Sequence, residues 1–211
     1  NVSGTYMQVL PRFFSLDEAG QEHDFLQEAF KTPADCLLRV FLKGYEWPFD
    51  CRKAQASSAI DLLVHRETHE KKRRVFLDYR ANPYGGELDF SILPTEAREY
   101  LENAGALFGK PIGRLLHMNA PAYELYRSKG VDLAREPLEI ALCAQHNNGG
   151  IDVDLWWRTR VEGLYVAGEA ACTHGVYRPG GSALNAGQVG SLRAAQHIAR
   201  KGQGESRASD E

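Results

Sequence analysis

The chain has 211 residues, of which 43% are hydrophobic and 25% charged, with a formal net charge of −3. That length allows one large domain or two small ones, and the balance is that of an ordinary soluble globular protein. The slight negative charge argues against a broad nucleic-acid surface, and no run of about 18 apolar residues offers a transmembrane segment.

The opening residues, NVSGTYMQVLPRFF, lack a basic start followed by an apolar core, so they do not read as a secretory signal. Residues 15–32 carry acid-rich, helix-like periodicity, with Ser15 as the candidate N-cap. A second helix is expected over 33–43, where Pro33 suits the first turn. GYEWPFD is aromatic and Pro-containing and reads as a loop. Residues 55–72 form a third expected helix with Ile60, Leu62, Leu63 and Val64 on its apolar face; Lys71-Lys72-Arg73-Arg74 then suits a helix C-terminus and a solvated surface. VFLDYR (75–80) alternates like a strand, NPYGGE is a turn, and 94–106 is a helix with acids early and Gly105 late. Residues 112–130 are helix-rich but interrupted by Pro121, and 136–143 are a strand candidate.

After that the pattern shortens. GGIDVD, WWRTRV and GLYVAGEAA read as short strands and turns, and 181–200 as a long helix rich in small residues. The expected division is a helix-rich α+β lobe over 1–143, part of a sheet-containing cofactor domain over 144–200, and a flexible polar tail over 201–211. The cysteines, Cys36, Cys51, Cys143 and Cys172, are too scattered for a zinc pattern or a disulfide framework and read as reduced, mostly buried thiols of a cytoplasmic protein. His65 and His69 stand four apart on one helix, but the HExxH order and a third ligand are missing, so no metal is expected there. Tyr45, Trp47, Phe49, Trp156 and Trp157 read as packing aromatics.

The informative stretch is GLYVAGEAACTHGVYRPGGSALNAGQVGSLRAAQHIAR. An apolar strand is expected to end in Gly168-Glu169, which puts a hydrogen-bond acceptor for sugar or polyol hydroxyls at a strand's carboxyl end, where α/β sheets bind ligands. A Gly-rich loop with one cation, RPGGSALN, then feeds a helix. Its small first residues allow a flat ligand close to the backbone, and its free amides and partial positive charge suit an anionic ring. On spacing alone, a packed strand, turn and helix with no ligand fits as well.

GGI, GLYVAGEAA and HGVYRPGGSALN, in that order, resemble the flavin motifs of the succinate dehydrogenase/fumarate reductase/L-aspartate oxidase flavoproteins, which read roughly HYxxGGI, GLYAAGEAA and HGANRLGGNSLL. A weaker resemblance to that family's capping lobe covers residues 10–110. The resemblance implies FAD as cofactor, a small carboxylate substrate and hydride transfer as the reaction. It also implies that residues 144–200 are part of a Rossmann-like FAD-binding domain. Glu169, with Gly168, matches the acid that holds the flavin's sugar hydroxyls; Gly181, Ser182, Ala183 and Leu184 match the segment whose backbone meets the flavin ring. Arg178 matches the substrate-carboxylate arginine, whose fork pairs bidentately with a carboxylate, and His174 the histidine of HGANR. The family's substrate histidine falls on Gln145, with His146 beside it. Either His146 takes the role or the substrate differs from a plain C4 dicarboxylate.

Arg66 falls at the family's proton-transferring arginine. A surface arginine paired to Glu67 or Glu70 is the other reading. The family's N-terminal GxGxxG is absent, so the chain is expected to be a fragment or split subunit of a two-domain flavoprotein, partnered by a missing N-terminal FAD-binding half. The three functional readings are a fumarate reductase- or succinate dehydrogenase-like enzyme portion, an oxidase of the L-aspartate type, and a non-catalytic remnant or interaction lobe.

Overall fold

The computed structural model describes residues 2–46, 48–143, 149–174 and 181–208. The chain divides into two compact units, Asn1–Leu142 and Cys143–Glu211.

In the first unit the elements are α1 (Thr5–Gln8), β1 (Arg12–Leu16), β2 (Glu22–His23), α2 (Phe25–Ala29), α3 (Pro33–Leu42), α4 (Ala59–His65), β3 (Arg74–Asp78), α5 (Thr95–Asn103), α6 (Pro111–Arg127) and β4 (Leu138–Ile140). The strands form one antiparallel sheet in the order β2-β1-β3-β4. Phe13 lies opposite Leu77 and Ser15 opposite Val75, on the face whose side chains join the core. Phe14 and Phe76 pair on the other face, stacked at 5.2 Å, and the Arg12 and Arg74 guanidiniums close over their rings at 4.9 and 5.0 Å. This lets an apolar pair stand on the outer face and still be shielded from water.

The helix expected over 15–32 is instead β1, a tight turn, β2 and the short α2. The cause is tertiary. Residues Arg12–Leu16 pair along their whole length with β3, and the Asp17 carboxylate accepts the Ala19 and Gln21 amides while Gly20 adopts φ +79. Acids spaced like a helix face therefore build a turn. Ser15 caps nothing: it is buried and donates its hydroxyl to Glu67 at 2.7 Å.

Elsewhere local signals prevail. Thr32 caps α3 by accepting the Asp35 amide at 3.2 Å, Pro33 takes the first position, and Cys36, Leu37, Val40 and Phe41 face the core. α6 breaks at Asn119 (φ −157, ψ 68), two residues before Pro121, whose ring cannot continue an α-helix. α4 continues into a π-helical turn over Arg66–Glu70.

The second unit has little regular structure before its helix, α7 (Ser182–Ala208). The expected strand ending in Gly168-Glu169 does not form a ladder. Tyr165 makes a single antiparallel bridge to Arg158 and Ala171 a single parallel bridge to Ile151, with a one-turn 3-10 helix over Gly168–Ala170 between them. A strand needs paired backbone along its length, and no such neighbour stands beside it among the described residues. What the structure shows is thus a mixed helical fold with a small antiparallel sheet. No described helix is long and apolar enough to cross a membrane.

Candidate functional site

The motif segments of the second unit converge on one turn. Gly149 and Gly150 adopt φ +123 and +128, and a Cβ on Gly150 would lie 2.4 Å from the Ala170 carbonyl oxygen. Only glycine permits that approach. It brings Ile151 alongside, whose amide donates to the Ala170 carbonyl at 2.8 Å, while the Cys172 amide donates to the Ile151 carbonyl at 3.1 Å. The Gly168–Ala170 turn is clamped between these bonds, with Gly168 at φ +69 and the Ala171 amide donating back to Gly168 at 3.2 Å. Glu169 is exposed at the centre of the turn.

α7 packs against the same turn. A Cβ on Gly187 would be in ordinary contact, 3.7 Å, with the Gly168 Cα. The N-terminal part of α7 therefore packs on the turn that carries Glu169. Gly181 precedes the helix at φ +80, Ser182 and Ala183 are half-buried, and Leu184 is 78% exposed. The first amides of a helix have no intrahelical partner and carry partial positive charge.

His174 ends a second 3-10 turn, Cys172–His174. It is 6% exposed, and neither ring nitrogen has a hydrogen-bond partner among the described residues. A buried imidazole without a partner is costly.

The structure thus gathers Gly168, Glu169, His174 and Gly181–Leu184 in one unit. Arg66 lies in the other, within the π-helical turn; its side chain is 58% exposed with Nε 3.9 Å from a Glu70 oxygen. Gln145, His146 and Arg178, like Trp47 among the aromatics, lie outside the described residues.

The sequence reads the Trp156-Trp157 pair as packing aromatics, and the structure shows what they pack on. Trp157, at φ +60, lays its indole on α7, where a Cβ on Gly190 would fall 2.4 Å from its Nε1. Arg193 stands 5.0 Å from the Trp156 ring and 5.7 Å from the Trp157 ring, and Tyr165 bonds His197 through its hydroxyl at 2.7 Å. Asp154 shapes the turn that presents the pair, accepting the Trp156 and Arg158 amides at 2.8 and 3.0 Å. Burial pushes the Asp154 carboxyl up, but the Arg158 side chain and these amides outweigh it and hold the group below the usual carboxylate range. Together these contacts fasten residues 154–166, and so the Glu169 turn, to α7. Gly190, three residues before Arg193, was the available signal: a small residue where a bulky ring must seat.

A groove of about 460 Å³ in this unit, lined among others by Asp152, Arg158, Glu162, His197 and Lys201, shares no residue with the Glu169 turn.

A family model described as an FAD binding domain matches residues 46–184. Among curated proteins, the chain is similar to a fumarate reductase (CoM/CoB) chain of Methanothermobacter marburgensis, 42% identical over 79 residues, 37% of this chain and 14% of that protein. It is also similar to L-aspartate oxidase of Pyrococcus horikoshii, 36% identical over 81 residues, 37% of this chain and 18% of that protein. L-aspartate oxidase of Rhodospirillum rubrum is 37% identical over 78 residues, 36% of this chain and 28% of that protein. The chain thus matches less than a third of the length of each of these relatives. FAD is the cofactor that the family binds. The residues present fit it: an acid on a glycine-opened turn, and a helix start with small side chains around its amides.

Proposed function

The chain belongs to the FAD binding domain family of the fumarate reductase and L-aspartate oxidase flavoproteins, and on that premise we propose that it is part of an oxidoreductase acting on a small carboxylate. FAD, when bound, supplies the hydride chemistry, and the protein supplies placement and electrostatics. Glu169 would accept hydrogen bonds from the cofactor's sugar hydroxyls, and the backbone of Gly181–Leu184 at the start of α7 would carry its ring system. Arg178 would hold a substrate carboxylate, as a planar fork suits, with His174 and His146 or Gln145 as further substrate contacts. Arg66 would move the proton. A guanidinium gives up a proton only with difficulty, so that role requires desolvation on substrate binding.

The observation that carries this reading is the convergence of the Gly150, Glu169 and α7 segments on one turn. We further propose that the second unit completes a Rossmann-like domain with an FAD-binding half bearing the GxGxxG loop. Among the described residues Leu155, Val161, Leu184 and Leu192 are more than half exposed, while Ala171 and Ala194 are the buried apolar side chains of this unit. So much apolar surface favours a covering partner.

The substrate reading preferred is a fumarate- or succinate-like dicarboxylate. A second, an amino-acid oxidase, is favoured by the relatives named L-aspartate oxidase and by Gln145-His146 standing where the family has His-Tyr. The two separate in one assay on the protein joined to its FAD-binding half. Fumarate-dependent oxidation of a reduced dye supports the first; oxygen uptake on adding L-aspartate supports the second; neither activity, with flavin bound, refutes both.

A further inference from the structure

The π-helical turn after α4 carries a feature that the proposed reaction does not use. The His65 and His69 rings stack face to face, with centroids 4.4 Å apart and planes 7° from parallel. Both residues are exposed. Four residues advance an α-helix by about 40° past a full turn. A π turn is wider, closing i→i+5 bonds such as Lys71 amide to Arg66 carbonyl at 3.0 Å, and brings residues four apart closer to eclipse. The irregular turn is thus what aligns the two imidazoles.

A second contact sets the chemistry of one ring. The Thr68 Oγ lies 2.9 Å from the Val64 carbonyl, 3.3 Å from the His65 carbonyl and 2.8 Å from His69 Nδ1. A hydroxyl has one hydrogen, and carbonyl oxygens only accept. Turned toward the ring, it would leave two bare oxygens 2.9 Å apart. The hydrogen therefore goes to the Val64 carbonyl, and Thr68 accepts from His69 Nδ1–H. That fixes His69 as the tautomer with its Nε2 lone pair free. An outer partner on one ring nitrogen is how proteins prepare the other to bind a metal.

We propose that His65 and His69 form a two-point clamp for an imidazole-preferring transition-metal ion, such as Ni2+, Cu2+ or Zn2+. Metal–nitrogen bonds of about 2.0–2.1 Å at a tetrahedral angle hold the two nitrogens about 3.3 Å apart. The stacked rings reach that separation by tilting toward each other at their tips. Among the described residues no group of three or more metal-ligating side chains occurs, so water completes the coordination and the ion exchanges with solvent. The site is thus a loading or bridging point, distinct from a closed structural centre. Its ligand class follows from its nitrogens: hard, oxygen-preferring Mg2+ is excluded.

The test is calorimetric titration of the intact chain with Ni2+, and with Mg2+ as control, for the natural protein and for His65→Ala, His69→Ala and Thr68→Val. Expected is Ni2+ binding that weakens at least tenfold in each histidine variant and about tenfold in Thr68→Val. Nitrogen-15 spectra of the metal-free protein should show the Nδ1–H tautomer at His69. Ni2+ affinity unchanged by both histidine substitutions would overturn the proposal. An Nε2–H tautomer at His69 would overturn the part given to Thr68.

Discussion

Arg114 offers the sharpest test of how the first unit is held. It is fully buried on α6, with no carboxylate among its hydrogen-bond partners. Its Nε and Nη2 donate to the Val9 carbonyl at 3.1 and 2.9 Å, Nη2 to the Asn82 side-chain oxygen at 3.0 Å, and Nη1 to the carbonyls of Phe108 and Gly109 at 3.0 and 2.7 Å. Burial pulls its pKa down to about 10, so it stays charged at neutral pH. Arg114→Met keeps an apolar stem and removes every donor. Phe108 and Gly109 are exposed enough for water to take over, but Val9 is fully buried and Asn82 nearly so. Two dry acceptors at about 1–3 kcal/mol each give a loss of roughly 3–4 kcal/mol, a large fraction of typical domain stability. In a unit of this size that lowers the melting temperature by about 10–15 °C. Thermal and urea unfolding followed by circular dichroism measure it. A loss below about 1 kcal/mol, with an unchanged urea slope, would refute the reasoning, because water or relaxation would then be satisfying Val9 and Asn82.

Other predictions bear on acid stability and on the Glu169 turn. Burial pushes the Glu67 carboxyl up, but Lys71, Ser15 and Arg73, at 2.6, 2.7 and 3.1 Å, outweigh it and hold the group below its usual value. With the folded value below the unfolded one, its stabilisation is complete above about pH 4.3 and is lost as pH falls through the folded value. Glu67→Gln should lower stability at pH 7 and flatten the acid limb; an acid limb of unchanged shape would count against this. Gly150→Ala meets both a positive φ and the Ala170 carbonyl at 2.4 Å. It should shift the Glu169 turn and weaken FAD binding at least tenfold in the assembled protein, measured by flavin fluorescence quenching, with the melting point of the first unit unmoved. Glu169→Gln removes a charged acceptor, worth about 1.5 kcal/mol or more, and should weaken FAD about tenfold in the same titration while the fold persists.

What could be read from the sequence divides by how local its cause is. Thr32 and Pro33 announce α3, Pro121 announces the break in α6, and the alternation of 75–80 announces β3, because each signal acts within a turn or two. Residues 15–32 misled because β1 owes its conformation to β3, about 60 residues away, and because Asp17 lends its acid to a turn. The strand expected before Glu169 gave way to single bridges for want of paired backbone among the described residues. The glycine-rich motif segments stood out in the sequence, and at Gly150 a close approach to the Ala170 carbonyl dictates the glycine. The Trp157 seat was legible only on one side: Gly190 marks where a ring can lie, but a pair of tryptophans gives no sign of the helix they pack on until the chain is folded. Nor could spacing show the Thr68 contact that orients His69, which depends on a π turn no local pattern marks.

The central claim is that residues 149–174 and 181–184 build part of an FAD seat. It is tested most directly by the visible absorption spectrum of the protein purified with its FAD-binding half, before and after adding FAD. A yellow protein with about one flavin per chain, losing most of it on Gly150→Ala, is the result predicted. A protein that stays colourless with added FAD, or one whose flavin content ignores Gly150→Ala and Glu169→Gln alike, would contradict it.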